Sequence, residues 1–474
     1  MSEMPAAVAA ADVATAGVGG RVLRAGGNAA DAAVAAALAA CAAETIYTGL
    51  AGGGFAVHWD AARAEATVVD FFVDVPGRGL DRPVAPMDAI HVSFGAAPLE
   101  YHVGAATVAV PGNPVGLHEV QHRFGRLPWH AVVQPAYELA SGGVSLSAQK
   151  ALGLAVMREA MCWGSEGRAA YAPKGRLLAA GERLWHRGLA ESFLVLREDG
   201  PAPFYTGRIA EAMVEVVSAG GGALTEQDLA GYEARVGRAR TVDMVGAQVH
   251  GRTDLLDLLA TLEALPDVGA WDEPDRVEAW VRTLLGGGRA AISGTGTSNV
   301  CVTDADGNAC AVTTSLGLGS GDWVPGYGLH LNSMIGEGEL MVGSEGPGTR
   351  VPSMMAPVVA TDADGLLAVS GAAGGSRIRS SLLQVLSGVL VEGQRPRASV
   401  RRPRVHPVAT NDAVVVHTEP GFESATTARL ASSGLVVEPW DAPSAYFGGV
   451  SVITRQGAAA DPRRDGAVDR LPSA

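Results

Sequence analysis

The chain has 474 residues, of which 47% are hydrophobic and 18% charged, a composition typical of a globular protein with a large buried core. Its formal net charge of −14 argues against a nucleic-acid partner, because such a partner requires basic surfaces that neutralise phosphates. The first residues lack the basic region of a secretion signal, and the alanine-rich run at 29–43 is too short to span a bilayer. We therefore expect a cytoplasmic protein without a membrane partner.

The first part of the chain predicts two helices followed by two strands. Asn28 is a helix cap with Asp31 in the first turn, and the alanines that follow are typical of a helix buried on more than one face. The glycines at 52–54 lack the Gly-Lys-Ser/Thr of a phosphate-binding loop, so we interpret them as points of close backbone approach. The helices are predicted over 13–24 and 29–43, and the strands over 56–60 and 67–72.

The middle of the chain predicts mainly helices. Ser147 is the expected cap of one of them, and Thr225 with Asp228 forms the capping pattern of a short helix that ends near Tyr232. One strand is expected over 242–250. The other helices are predicted over 114–124, 129–145, 146–160, 255–265 and 275–285.

Two patterns raise the question of a metal or a disulfide. His118-Glu119-x-x-His122 on a helix matches the zinc-protease arrangement, but the pattern is short, and no third ligand is evident nearby, so a solvated helix face is the expected state. The cysteines, Cys41, Cys162, Cys301 and Cys310, have no metal-binding spacing. The last two would face each other across a hairpin, where we expect buried thiols. We predict no metal and no cofactor.

A β-hairpin is predicted between residues 297 and 315, with its turn at Asp304–Asn308. Thr297 begins the first strand and follows Gly296, in a glycine-rich stretch suited to chain cleavage. A cut before Thr297 would free an α-amine with a pKa of about 7.7–8.0, able to act as general base for the hydroxyl of the same residue. The pattern therefore predicts an N-terminal threonine nucleophile.

The last part of the chain predicts a strand, a glycine loop and a helix in succession. Gly374 and Gly375 would lie at the start of that helix, where free backbone N–H groups favour negative charge. Because no phosphate motif accompanies them, we interpret the loop as a site for a transition-state oxyanion. The strands are predicted over 358–361, 366–370, 414–417 and 449–454, and the helix ends near residue 391.

Eight segments, in family order across nearly the whole chain, resemble the γ-glutamyltranspeptidase family. They are R-A-G-G-N-A-A-D-A-A-V-A-A-A-L (Arg24–Leu38), A-G-G-G-F (Ala51–Phe55), V-P-G (Val110–Gly112), V-V-Q-P-A (Val132–Ala136), L-T-E-Q-D-L (Leu224–Leu229), T-D-A-D-G-N-A (Thr303–Ala309), S-G-A-A-G-G-S-R-I (Ser370–Ile378) and D-P-R-R-D-G (Asp461–Gly466).

The resemblance implies an α+β fold, the four-layer αββα sandwich of N-terminal nucleophile hydrolases. It implies one precursor that cuts itself between Gly296 and Thr297. Residues 1–296 would form the large subunit and residues 297–474 the small one, both within one domain, with a higher oligomer left open. By the same resemblance, Thr297 is the nucleophile, Ser315 supports its hydroxyl, and the N–H groups of Gly374 and Gly375 form the oxyanion hole.

The resemblance breaks down at the substrate-binding positions. The family's arginine that binds the α-carboxylate is Phe72, and Arg78 is the next cation considered for that contact. One of two adjacent binding serines is kept as Ser353, and Met354 replaces the other. Two further positions and one segment depart from the family. The family's asparagine two residues after Ser315 is Gly317 here, and its histidine two residues after the nucleophile is Asn299. The segment that binds the amine in the family has the sequence N-S-M-I-G-E here (Asn332–Glu337).

We expect a self-processing hydrolase or acyltransferase that cleaves an amide or peptide-like small molecule, but not an ordinary γ-glutamyl substrate. A lost guanidinium–carboxylate contact in a desolvated site weakens binding by several kcal/mol. Three alternatives stay open. They are a secondary-metabolism relative that cleaves a C–C bond with the same nucleophile, a non-catalytic binding homologue, and a zinc hydrolase that uses His118, Glu119 and His122.

Overall fold

The structure is a computed structural model that describes residues 4–93, 99–244, 246–252, 273–286, 296–337, 340, 346–409 and 413–472. Within these ranges, α-helices cover Val13–Arg24, Ala29–Ala43, Asn113–Phe124, Trp129–Gly142, Ala148–Val156, Arg158–Met161, Ser165–Tyr171, Leu189–Asp199, Pro203–Thr206, Arg208–Ala219, Glu226–Ala230, Pro274–Gly286, Arg377–Leu386, Pro396–Arg401 and Ser424–Ser432. A π-helical turn covers Ser387–Val391, and short 3-10 turns cover Ala105–Thr107, Met334–Gly336, Ala445–Phe447 and Pro462–Arg464. No helix in the described ranges is long and apolar enough to cross a membrane.

The strands are β1 Ala7–Ala10, β2 Gly53–Asp60, β3 Glu65–Phe71, β4 Asp88–Val92, β5 Leu99–Val103, β6 Val144–Ser145, β7 Arg183–Leu184, β8 Arg235–Arg238, β9 Arg240–Met244, β10 Ala247–Gly251, β11 Thr297–Thr303, β12 Ala309–Ser315, β13 Trp323–Val324, β14 Leu329–His330, β15 Val358–Asp362, β16 Gly365–Ala373, β17 Val405–Ala409, β18 Val414–Thr418, β19 Val436–Pro439, β20 Gly449–Thr454, β21 Gly457–Ala460 and β22 Ala467–Arg470.

Two sheets form the centre of the fold. The first has the order β22-β1-β11-β12-β2-β3-β8, and the second has the order β21-β20-β16-β15-β10-β9. Apolar side chains between the sheets, among them Val57, Cys301, Val369 and Ile453, form one buried cluster. The first sheet contains strands from both sides of the Gly296–Thr297 peptide bond.

Helices cover the outer face of each sheet. The helices at 13–24 and 29–43 join the buried cluster on the first sheet, and those at 274–286 and 377–386 join the cluster on the second. These layers form the predicted αββα sandwich, and the α+β fold class is confirmed. A layered arrangement of this kind buries one face of each helix and both faces of each sheet.

The helix at 29–43 is buried over its whole length, as its alanines predict. Asn28 accepts a hydrogen bond from the Asp31 N–H at 3.0 Å, and the Asp31 carboxylate accepts one from the Asn28 N–H at 3.1 Å. This reciprocal cap satisfies two exposed N–H groups of the first turn. Small side chains then let neighbouring helices and the sheet approach from several directions.

The glycines at the start of β2 allow its backbone to lie against β12. A Cβ atom on Gly52 would lie 2.1 Å from the Ser315 carbonyl oxygen, and one on Gly54 would lie 2.4 Å from the Thr313 carbonyl oxygen. Real Cβ atoms do not approach this closely, so only glycine fits. The interpretation of close backbone packing is confirmed.

Most predicted elements exist, with shifted ends. The helix predicted over 146–160 divides at Met157 into two helices, and the strand predicted over 366–370 extends to Ala373. The single strand predicted over 242–250 is wrong, because β9 and β10 form a hairpin with Gly246 at a φ of 80° in the turn. The helix predicted over 255–265 lies outside the described residues.

The thiols of Cys301 and Cys310 are free and buried. The register pairs Cys301 with Ala311, and Cys310 with Val302. Cys301 faces the second sheet, whereas Cys310 faces the helical layer, because they belong to different buried clusters. The prediction of buried thiols is confirmed, but the two side chains do not face each other across the hairpin.

Candidate active site

The first pair of the β11–β12 hairpin carries the predicted nucleophile and its predicted support. Thr297 begins β11, and its register partner is Ser315, the last residue of β12. Residues directly opposite each other on antiparallel strands project from the same face of the sheet. Both are buried, with 5% and 6% of their surface exposed. The hairpin therefore places two hydroxyl groups at one end of the first sheet.

The Ser315 hydroxyl contacts the peptide bond that precedes Thr297. Its Oγ donates a hydrogen bond to the Gly296 carbonyl oxygen and accepts one from the Gly317 N–H at 3.1 Å. A donor on a carbonyl oxygen polarises it and stabilises the negative charge that develops when the carbon is attacked. Ser315 therefore lies where it would assist attack on the Gly296 carbonyl group.

Gly317 contacts the Ser315 hydroxyl group and the Gly296 backbone, and it does not line the pocket. Its φ of 67° lies in the left-handed region that favours glycine. Its carbonyl oxygen would lie 1.9 Å from a Cβ atom placed on Gly296. Gly296 therefore has no room for a side chain beside the Gly317 backbone, whereas a Cβ atom on Gly317 would lie 2.6 Å from the side-chain oxygens of Ser333 and Glu337. The predicted substrate contact of Gly317 is not seen, because the residue does not line the pocket described next.

A pocket of about 280 Å³ opens beside Thr297. The sequence-predicted residues that line it are Phe72, Gly296, Thr297, Ser315, Ser353, Met354 and Gly375, and the further lining residues are Met334, Glu337, Leu340 and Met355. Segments distant in the sequence thus converge on one cavity. Their predicted roles in catalysis and binding stay predictions.

The glycine loop reaches the pocket through Gly375. β16 continues to Ala373, and the helix begins at Arg377. Gly374 has a φ of 138° and Gly375 a φ of 59°, so the chain turns sharply between strand and helix. Gly374 is not among the lining residues, and its carbonyl oxygen accepts a hydrogen bond from the Arg377 N–H at 3.2 Å. Of the two predicted oxyanion glycines, only Gly375 is placed on the cavity.

Phe72 gives the pocket an apolar surface, and Arg350, which contacts the Phe72 backbone, is engaged in ion pairs. Its ring stacks on that of Phe55, with the centroids 5.4 Å apart. Arg350 donates to the Phe72 carbonyl oxygen and forms ion pairs with Asp70 at 3.3 Å and Asp74 at 3.1 Å. Burial raises the pKa of the Asp74 carboxyl group, and Arg350 partly offsets that rise.

Arg78 does not replace the missing arginine of the family. Its guanidinium donates to the Gly231 carbonyl oxygen at 3.1 Å, and its backbone N–H donates to Asp228 at 2.9 Å. It is absent from the residues that line the pocket. The possibility that Arg78 reaches into this site is therefore not supported by its placement.

Arg252, which sequence reasoning missed, contacts both Phe55 and the loop at 353–355. Its guanidinium carbon is 3.4 Å from the Phe55 ring centroid, and Nη1 donates to the Met355 carbonyl at 2.7 Å and to the Ser353 carbonyl at 3.2 Å. The side chain is buried, with 1% exposed. It thereby joins the Phe55–Phe72 pair to the loop at 353–355, and both lie against the cavity.

The segment that the family uses to bind an amine is held by Asn332. Its amide group donates to the Ala51 and Ala109 carbonyls, both at 2.9 Å, and accepts from the Ala109 N–H at 3.0 Å. Asn332 is thus a fully buried anchor, and Met334 and Glu337 are the members of this segment that reach the pocket. Asn299 binds the Thr313 hydroxyl at 2.8 Å between the sheets and does not line the pocket.

A buried ionic cluster lies beneath the start of β11. Lys150 donates to Asp12 at 2.6 Å and to the Ala43 carbonyl at 2.9 Å, and Thr15 donates to Glu44 at 2.6 Å. Burial raises the pKa of the Glu44 carboxyl group, while Lys150 and the Ser298 hydroxyl lower it. This cluster brings titratable groups to Ser298, the residue after Thr297, but none of them lines the pocket.

The His-Glu motif lies on the predicted helix without forming a metal site. Glu119 pairs with Arg123 at 2.5 Å, and the rings of His118 and His122 stack with centroids 5.9 Å apart. Burial lowers the pKa of His118. Across the described ranges, no three histidine, cysteine, aspartate or glutamate side chains are grouped to hold a metal ion.

Four lining residues escaped the sequence reasoning as pocket residues. Met334 and Glu337 belong to a segment that was identified, and Met355 follows the identified Met354, so the local signal existed. Leu340 has no signal in the sequence, because nothing local distinguishes a leucine that lines a cavity from one in the core.

The sequence profile of the γ-glutamyltranspeptidase family matches residues 15–266 and 273–471. Glutathione hydrolase 3 of Arabidopsis thaliana is 28% identical over 471 aligned residues, which cover 84% of this chain and 72% of the relative. The acylase ACY 1 proenzyme of Pseudomonas sp. (strain V22) is 28% identical over 482, covering 88% and 85%. A cephalosporin acylase structure from Bacillus halodurans superposes with a TM-score of 0.84 at 22% identity, over 100% of this chain and 97% of that one, which shows a shared fold.

Proposed function

Because the chain belongs to the γ-glutamyltranspeptidase family, we propose that it is a self-processing amide hydrolase or acyltransferase with Thr297 as nucleophile and a substrate other than a γ-glutamyl compound. The observation that carries the proposal is the convergence of Thr297, Ser315 and Gly375 on one pocket beside the Gly296 carbonyl group. The names of two relatives, both proenzymes, support maturation by chain cleavage.

Maturation is an intramolecular acyl shift. The Thr297 hydroxyl adds to the Gly296 carbonyl carbon, and the Ser315 hydroxyl donates to the oxygen that becomes negative. The Gly296–Thr297 amide bond breaks, which leaves an ester on the Thr297 oxygen and a free α-amine. Water then hydrolyses the ester. The amine, with a pKa of about 7.7–8.0 in model compounds, is ready to act as general base.

Turnover repeats the chemistry on a substrate amide. The α-amine takes the proton of the Thr297 hydroxyl as its oxygen adds to the substrate carbonyl carbon. Gly375 lines the same pocket, which supports its N–H as the candidate donor to the oxyanion. The proton passes to the departing amine, and water or a second amine releases the acyl group from Thr297.

The first test is self-cleavage of purified protein, followed by gel electrophoresis and intact-mass measurement. We expect two chains, residues 1–296 and 297–474, the second with Thr-Ser-Asn-Val at its N-terminus. Thr297→Ala removes the nucleophile and stays a single chain. Ser315→Ala removes the donor on the Gly296 carbonyl, which slows cleavage by about 10²-fold.

Ser298→Ala is the matched control, because it removes a buried hydroxyl from the next residue of the same strand, which projects from the opposite face. It is expected to mature at the rate of the parent protein. An unmodified chain that never splits, despite native circular dichroism, would leave the fold in place without its proposed chemistry and would support a non-catalytic relative.

A further inference from the structure

Five of the eleven residues that line the pocket beside Thr297 carry large apolar side chains, and Thr297, Ser315, Ser353 and Glu337 are its polar members. Phe72, Met334, Leu340 and Met355 are each at least 97% buried, and Met354 is half-buried at the rim. Methionine side chains are flexible and polarizable, so they adapt their shape to an apolar ligand. A wall of this composition gains free energy when it covers hydrocarbon and loses it when it strips water from a charge.

The volume of the cavity limits the size of the group it holds. Its empty space of about 280 Å³ includes the open solvent at its mouth, so the enclosed part is smaller than the pockets of about 300–1,000 Å³ that bind drug-sized molecules. The cavity therefore fits the acyl part of a substrate and not the whole of a large one.

The charged groups around the pocket disfavour an acidic acyl group. Glu337 contributes a carboxyl group to the lining, and none of the described lining side chains is cationic. Arg252 is committed to the Phe55 ring and to the carbonyls of Ser353 and Met355. Arg350 is paired with Asp70 and Asp74, so neither guanidinium is directed at a substrate carboxylate.

We infer that the acyl group transferred to Thr297 is uncharged and apolar, a short aliphatic or phenylacetyl chain that packs against Phe72 and the methionine side chains. This inference rests on the proposed function and adds the substrate class. The reaction consumes one water per amide bond and releases a carboxylic acid and the free amine. Each methylene that enters the pocket raises kcat/KM about three- to fourfold until the space is full.

The test uses the matured enzyme and a series of p-nitroanilides, whose hydrolysis releases coloured p-nitroaniline. Hexanoyl and glutaryl anilides have similar lengths and differ in one terminal carboxylate. We expect kcat/KM for hexanoyl to exceed that for glutaryl and for γ-glutamyl by about 100-fold, because the carboxylate would be desolvated without a cation. Hexanoyl should exceed butanoyl, shorter by two methylenes, by about tenfold.

A charged residue introduced at the pocket tests whether this pocket causes the preference for an apolar acyl group. Met354→Lys adds a cation at the half-buried rim and is expected to shift the glutaryl-to-hexanoyl ratio of kcat/KM toward glutaryl by at least tenfold. Met87→Lys is the matched control, since Met87 is also half-buried but lies outside the pocket lining. It should leave the ratio unchanged.

The outcomes separate this inference from the proposed function. A chain that fails to split before Thr297 and hydrolyses none of the anilides contradicts the proposed function itself. A protein that splits before Thr297 but prefers glutaryl or γ-glutamyl, or turns over none of the series, overturns only the assignment of an apolar acyl group. An equal shift in Met354→Lys and Met87→Lys would also overturn it.

Discussion

The effect of substituting Gly296 is the sharpest prediction that the structure allows. A Cβ atom at this position would lie 1.9 Å from the Gly317 carbonyl oxygen and 2.9 Å from its carbon, whereas real Cβ atoms keep at least 3.0 Å from such neighbours. Gly296→Ala therefore forces the two backbone segments apart by about 1 Å. Both are backbone groups, so no flexible side chain absorbs the displacement.

That displacement acts on the reacting peptide bond. The Gly296 carbonyl oxygen accepts the Ser315 hydrogen bond, and the Gly317 N–H orients the same hydroxyl group. A misplacement of about 1 Å in a reacting group costs about 10²-fold in rate, which corresponds to about 3 kcal/mol of activation free energy. Gly296→Ala is therefore expected to mature about 10²-fold more slowly than the parent chain.

The assay is a time course of precursor and products on denaturing gels, with intact masses at the end points. Gly346→Ala is the matched control, because a Cβ atom there meets no atom within 4 Å and its φ is not positive. Circular dichroism and thermal unfolding establish that both variants fold. Cleavage of Gly296→Ala at the parental rate would refute the geometric argument, since the contact with Gly317 would then have no effect on the reacting bond.

Two further predictions concern stability. Gly374 and Gly375 should respond unequally to substitution by alanine. At Gly375 the φ of 59° is one that L-residues adopt at about 1–2 kcal/mol, whereas at Gly374 the φ of 138° is closed to them, and a Cβ atom would lie 2.8 Å from the Gly448 Cα. Gly374→Ala should therefore lower the thermal midpoint more than Gly375→Ala, and equal losses would contradict the backbone account. His186 should make the fold acid-sensitive: burial lowers its pKa to about 4, so below about pH 6.5 the unfolded chain binds a proton that the folded chain does not. The neutral His186 therefore costs no stability above the pKa of the unfolded chain. As the pH falls from 7 to 5, the free energy of unfolding decreases by about 2 kcal/mol, and the loss continues toward pH 4. Denaturant titrations of His186→Gln should show a correspondingly smaller fall, and an unchanged pH dependence would contradict the pKa shift.

Much of this protein was determined by local sequence alone. The cap at Asn28 and Asp31, the buried alanine helix and the hairpin from Thr297 to Ser315 follow from interactions within a few residues, so their patterns predict them. The eight family segments also predicted the fold, because they occur along the chain in the order that the family has. The loss of the arginine at position 72 was likewise visible without coordinates.

Other features depend on contacts between distant segments. The hairpin at 240–251 looked like one strand, because its turn has only Gly246 and its neighbours to mark it. The commitment of Arg252 and Arg350 to carbonyl and acidic partners, and the exclusion of Arg78 from the pocket, depend on which loops meet at the end of the first sheet. The sequence shows which side chains exist, but only packing decides which charges are already paired and which surfaces remain for a substrate.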